Sequence, residues 1–201
     1  MSLACGIDLG SLRTPAYVAW LSHRNFRLDM YVPSPERPLP SLGRGPPPAA
    51  YFGIDAPQGL PARGASVREA DREAGTPTKK LPADRDELAR SKLYRGLIEA
   101  GIEVFWSVYE RRLGHIPGLA GGAEWPVVFE TYPRYVIRQL WPGLDIPSKR
   151  REPRRYVDAV WGRITSLGYH CSGVITPTVD QVDAMVCALA AGACLEDGGW
   201  R

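Results

Sequence analysis

Two apolar runs of this chain end in the same tripeptide. "CGIDLGS" at residues 5–11 and "YFGIDAPQG" at 51–59 each close on Gly-Ile-Asp, which leaves Asp8 and Asp55 at the ends of predicted strands. A carboxylate at the end of a buried strand is costly unless a counter-charge or water compensates it. Open α/β sheets solve this by gathering such groups, and their ligands, at the carboxyl ends of neighbouring strands. The repeated tripeptide therefore points to an α/β sheet in which these two strands end at one edge.

The rest of the chain fits that frame. Residues 3–9, 15–22 and 26–32 read as strands, and the short turn "HRN" between the last two implies an antiparallel meander. Alternation over 26–32 predicts Phe26, Leu28, Met30 and Val32 on one face, with Arg27, Asp29 and Tyr31 on the other. The proline-rich stretch 33–49 cannot join a ladder and reads as a surface connection. Further strands are expected at 50–55 and in "AEWPVVFETYP", 123–133. Helical patterns cover 65–74, 85–113 with breaks at Gly96 and Gly101, 133–141, 152–167 and 178–195, the last with Thr178 as N-cap. This order predicts a mixed sheet with helices on its faces, in one domain over 1–201 carrying a helical insertion at about 62–122.

Several classes are disfavoured. Net charge is only +3, which does not demand a nucleic-acid partner but permits a local basic patch. The four cysteines, Cys5, Cys171, Cys187 and Cys194, form no CxxC pair, and Cys187 and Cys194 share a helix face as core residues. A reducing compartment is the natural reading. No signal peptide and no stretch near the ~20 apolar residues of a membrane span is visible, so the expectation is a cytoplasmic protein without a membrane partner. His23, His115 and His170 lie too far apart for a zinc-ligand pattern.

The acids are the chemical signal. Asp8, Asp55 and Glu130, in "VVFETYP", end three predicted strands, and Asp180 and Asp183 lie three apart at the start of the last helix. If the three strands are parallel neighbours, these carboxylates face one another, and their repulsion is relieved by hard divalent cations with oxygen ligands, Mg²⁺ or Mn²⁺. Two such ions roughly 3.5–4 Å apart would form the arrangement used for in-line attack on phosphodiesters.

The sequence resembles the family of the domain of unknown function number 429, predicted to be nucleases with a ribonuclease H-like fold. The likeness rests on "GIDLG" at 6–10, "GIDAPQGLP" at 53–61, "READREAG" at 68–75, "FETYPR" at 129–134, "SKRREPRR" at 148–155 and "DQVDAMVCALAA" at 180–191. The resemblance implies a ribonuclease H-like α/β fold: a five-stranded sheet ordered 3-2-1-4-5, strand 2 antiparallel, with the helical insertion after strand 4. It also implies a metal-dependent phosphodiesterase site. Asp8 would bridge two ions, Asp55 and Asp183 would hold one each, and Asp180 would stand beside them. Glu130 matches the family pattern but ranks below the others as a metal ligand.

"SKRREPRR" supplies Lys149, Arg150, Arg151, Arg154 and Arg155, a cluster suited to a DNA or RNA phosphate backbone or simply to a solvated helix start. Lys149, Arg150 and Arg154, with Arg68, are the expected substrate contacts. Arg68 has a second reading as an ion pair with Asp71. Lys79 and Lys80 suggest a second basic strip, weaker than a plain solvated segment. Trp106 and Tyr109 read as core rather than as a base-stacking pair. Two other functions compete with the nuclease. One is a single-lobe, actin-like nucleotide-binding protein, on the likeness of Asp8-Leu9-Gly10-Ser11 to a phosphate loop. The other is a noncatalytic module that binds nucleic acid or protein through the basic cluster.

Overall fold

The computed structural model describes residues 3–41, 49–63, 65, 67–75, 81–82, 84–91, 94–119 and 126–196. Its strands are β1 (Leu3–Asp8), β2 (Ala16–Ser22), β3 (Asn25–Tyr31), β4 (Ala49–Asp55), β5 (Val127–Glu130) and β6 (His170–Cys171). Its helices are α1 (Glu69–Glu73), α2 (Arg85–Arg90), α3 (Arg95–Glu110), α4 (Pro133–Leu140), α5 (Pro153–Ser166) and α6 (Val179–Glu196). The expected Lys79 and Lys80 strip, Leu93 in the 85–113 helical pattern, and residues 123–125 of the expected fifth strand lie outside the described residues.

The strands form one mixed sheet ordered β5-β4-β1-β2-β3-β6. β2 is antiparallel to β1 and β3, whereas β1, β4 and β5 run parallel, as do β3 and β6. The sheet has six strands where five were expected, and its order is extended by β6 beside β3. β6 is only two residues long, too short to carry a periodic pattern. It is held where the His170 N–H donates to the Arg24 carbonyl at 2.9 Å.

Helices cover both faces. On one, α4, α5 and α6 pack through Ile137, Tyr156, Val160, Met185 and Leu189 onto Ala4, Ala19, Leu21 and Phe26. On the other, Ala100, Val104, Phe105 and Val108 of α3 meet Ile7, Val18, Phe52 and Ile54. The helical segment after β4 is thus a structural layer of the protein.

Period-two alternation explains both Gly-Ile-Asp runs. Ile7 and Ile54 are fully buried toward α3, and each contributes about 1.5–3 kcal/mol on that face. Gly6 and Gly53 face α6. A Cβ on Gly6 would lie 2.0 Å from the Ala184 carbonyl oxygen and 2.1 Å from the Ala188 nitrogen. On Gly53 it would lie 2.7 Å from the Cys187 carbonyl oxygen. The helix backbone rests directly on the strands, which the small residues Ala184, Cys187 and Ala188 allow from its side. Two positions on, the same strand face carries Asp8 and Asp55.

Other expectations are corrected. The helix break falls at Tyr94, at φ 59°, and not at Gly96 or Gly101, both inside α3. Gly101 instead lets α3 approach the loop after β4, since a Cβ there would sit 2.5 Å from the Pro57 carbonyl oxygen. On β3 the two faces divide as expected, with Phe26 and Leu28 packed on one side and Tyr31 on the other, but Met30 and, just after the strand, Val32 are exposed and Tyr31 is buried. The Tyr31 hydroxyl donates to the Pro38 carbonyl at 3.0 Å, so the connection after β3 covers the face opposite to the expected one. Trp106, expected in the core, is 52% exposed on α3 and lies against Tyr109.

Candidate metal centre

Three elements aim a carboxylate at one point. β1 and β4 are in parallel register with Asp8 opposite Asp55. α6 lies across both strands on the glycine side, so Asp183, one residue before Ala184, comes down beside them. One carboxylate oxygen from each of Asp8, Asp55 and Asp183 lies within 4.8 Å of the others. The start of α6 is fixed by a reciprocal cap: the Thr178 hydroxyl accepts from Gln181 N–H at 3.3 Å, and the Gln181 side chain accepts from Thr178 N–H at 2.8 Å.

The electrostatics are those of a crowded acidic site. Burial first, then Asp55, Asp183 and Asp180, push the Asp8 pKa well above the ordinary carboxylate range, against the pull of Lys149. Asp183 is 2% exposed, and its pKa is also raised, by burial. Two donors restrain that rise. The Tyr156 hydroxyl donates to Asp183 Oδ1 at 2.5 Å, and the Lys149 ammonium donates to Oδ2. Burial disfavours the Lys149 charge, but Asp183, Asp55 and Asp8 together hold its pKa above the usual value. Tyr156 is fully buried, and burial followed by Asp183 drives its phenol pKa up, which keeps the hydroxyl a donor.

A family model described as "Protein of unknown function (DUF429)" matches residues 6–199. The chain belongs to this family. No curated protein and no solved structure matches it.

Within this DUF429 protein the remaining expected residues divide. Asp180 is exposed on the first turn of α6 and acts on Asp8 and Asp183 through its charge, outside the three-carboxylate group. Glu130 also stands outside it. Its carboxylate accepts two hydrogen bonds from Arg68, both at 2.6 Å, and one from the Gln58 N–H at 2.8 Å. Arg68 simultaneously grips Asp71 through two bonds of 2.8 Å. The expected Arg68–Asp71 pair is therefore present, and Glu130 completes it. This cluster fastens α1 to the end of β5 and to the loop after β4. Arg68→Met strands two partly buried carboxylates, and the expected cost lies toward the lower end of about 3–5 kcal/mol in urea unfolding.

Of the basic segment, Lys149 enters the acid cluster. Arg150, Arg151, Arg154 and Arg155 are exposed around the start of α5, with Arg155 donating to Glu152. A cleft of about 910 Å³ opens beside Asp55, with Gln58, Arg68, Glu130, Tyr132 and Tyr135 in its wall. Tyr156 was not legible as a site residue. It sits seven positions after Lys149 in a run that reads only as amphipathic helix, and its partner Asp183 is 27 residues away. The Thr131 hydroxyl's bond to the Cys187 thiol at 3.0 Å, behind the two glycines, was equally hidden.

Among the described residues, no helix is long and apolar enough to cross a membrane.

Proposed function

We propose that Asp8, Asp55 and Asp183 hold Mg²⁺ or Mn²⁺, with room for two ions, and that the protein hydrolyses phosphodiester bonds of a nucleic acid. The observation that carries this reading is the convergence of three carboxylates, from two strand ends and a helix, within 4.8 Å of one another. The donor set fits the ion: oxygen ligands only, close enough to share a hard cation, and crowded enough that burial penalises their charge. A sheet with β1, β4 and β5 parallel and β2 antiparallel supports a ribonuclease H-like reading of the fold.

When bound, such ions supply a water of lowered pKa as nucleophile and stabilise charge on the leaving oxygen. The chain's own part is positional. Asp8 and Asp55 stand opposite each other on neighbouring strands with Asp183 of α6 beside them, so all three would hold the ions. Asp183 is held in one orientation by Tyr156, as an outer partner holds a metal ligand. Arg150 and Arg154, exposed beside Lys149, supply contacts to flanking phosphates. The cleft next to Asp55 gives room for the substrate beside the scissile bond.

The test is a panel of labelled DNA and RNA duplexes, single strands and branched structures incubated with Mn²⁺, with Asp8→Asn protein alongside. Metal-dependent cleavage by the wild-type chain alone is expected. Equal cleavage by both preparations, or none on any substrate, would remove the proposal.

A further inference from the structure

Asp183 divides its two oxygens between unlike partners. Oδ1 is taken by Tyr156, a fully buried side chain fixed inside α5. Oδ2 is taken by Lys149, whose side chain is 33% exposed at the end of a long flexible stem, in the turn before α5. Only the second partner can withdraw without disturbing the core. Its ammonium also lies 5.7 Å from the Tyr156 ring centroid, over an aromatic face that suits a cation. The same charge acts on Asp55 and Asp8 as well as on Asp183. Lys149 is therefore placed as the cation of the whole cluster, on the oxygen a metal ion would need.

We propose that Lys149 is an internal counter-cation that a divalent ion displaces: it holds Asp183 Oδ2 in the ion-free protein and leaves that oxygen when the ion binds. This rests on the metal reading given above. An ammonium and a divalent ion on one carboxylate oxygen repel each other at close range, so each weakens the other's hold on it. Binding of the ion is therefore weakened by the lysine it must displace, and by reciprocity the ion drives the lysine out. The ammonium moves toward the rim where Arg150 and Arg151 are exposed, so the loaded protein presents a more basic edge to a phosphate than the empty one. Ion and anionic substrate then reinforce each other's binding.

Isothermal titration of the full chain with MnCl₂ tests this on wild type, Lys149→Met and Lys149→Arg. Removing the competing charge should tighten Mn²⁺ binding on the order of tenfold in Lys149→Met, within the span usual for coupled sites. Lys149→Arg, which keeps the charge, should stay close to wild type. Wild-type binding with equal or weaker binding by Lys149→Met overturns the displacement while leaving the metal reading standing. No Mn²⁺ binding by either protein at millimolar concentration removes the metal reading, and the displacement with it. If Lys149→Met does not fold, the ¹⁵Nζ resonance of Lys149 in the wild-type chain decides the matter. Saturating Mg²⁺ should move it to the position of a solvated lysine; an unmoved resonance at saturation overturns the proposal.

Discussion

Asp8→Asn protein should lose activity and gain stability at the same time. The loss follows from the metal role proposed for Asp8: removing an outer partner of a metal ligand costs roughly 10–100-fold, and removing the ligand itself should exceed that. The gain is expected in EDTA near pH 7. Asp8 is half-buried beside Asp55 and Asp183 and its pKa lies well above the usual value, so keeping it charged in the folded chain costs free energy. An acid whose pKa is raised by folding holds its proton longer in the native state than in the unfolded one. Stability therefore falls as pH rises from the unfolded carboxylate range near 4 up through the raised native value, and above that the loss is complete. The asparagine does not titrate and escapes this loss. A rise in Tm of at least a few degrees is expected, the response of a domain this size to about 1 kcal/mol. The difference should vanish toward pH 3, where the wild-type aspartate is also neutral. Calorimetry across pH 3–8, with and without Mn²⁺, checks both halves. Mn²⁺ should raise the Tm of the wild type more than that of the variant, reversing or narrowing their order. A variant less stable than wild type in EDTA at pH 7 would contradict the crowded-acid account.

Gly6→Ala is the second large effect, and here the loss is structural. The added methyl carbon meets the carbonyl of Ala184 at 2.0 Å and the nitrogen of Ala188 at 2.1 Å, both backbone atoms of α6. No rotamer change relieves such a clash, so α6 must lift from β1. Overpacking costs about 1–3 kcal/mol where side chains can yield. With the helix backbone as the obstacle the cost should exceed that range, at or above about 3 kcal/mol in urea denaturation. The displaced helix takes Asp183 with it, so surviving folded protein should bind Mn²⁺ more weakly than wild type. Gly53→Ala should act in the same direction with a smaller effect, since its nearest backbone contact is 2.7 Å. A Gly6→Ala protein as stable as wild type would mean that α6 does not rest on β1 as described.

The elements themselves were legible because their signals are local. α5 and α6 follow from helical patterning and, for α6, from the Thr178 cap, all within a few residues of each other. β1 and β4 follow from apolar runs that end in Asp. The misplaced features are those decided by what lies opposite. Gly101 does not break the helix but is spent on packing against Pro57, a contact between segments 44 positions apart. Tyr31 turned inward because Pro38 offers its carbonyl, and Met30 and Val32 remained in water although alternation assigned them a common face with Phe26. Trp106 had the spacing of a core residue, but spacing does not say whether another layer covers that side of the helix.

For the acids the division is the same. By itself the sequence determined that carboxylates end two Gly-Ile strands and open the last helix, because strand period and helix capping depend on near neighbours. Local spacing could not decide which acids share a point, although the family resemblance set Asp8, Asp55 and Asp183 above Glu130. Glu130 has the same strand-end position as Asp8 and Asp55, yet Arg68, 62 residues away, claims it, while Asp183 is drawn into the cluster. That sorting depends on α6 resting on two glycines that bear no side chain, and on Tyr156 of α5 and Lys149 in the turn before it reaching one carboxylate. Such contacts exist only once distant segments are packed together, so only the tertiary structure gives the physical reason why these acids meet and Glu130 does not.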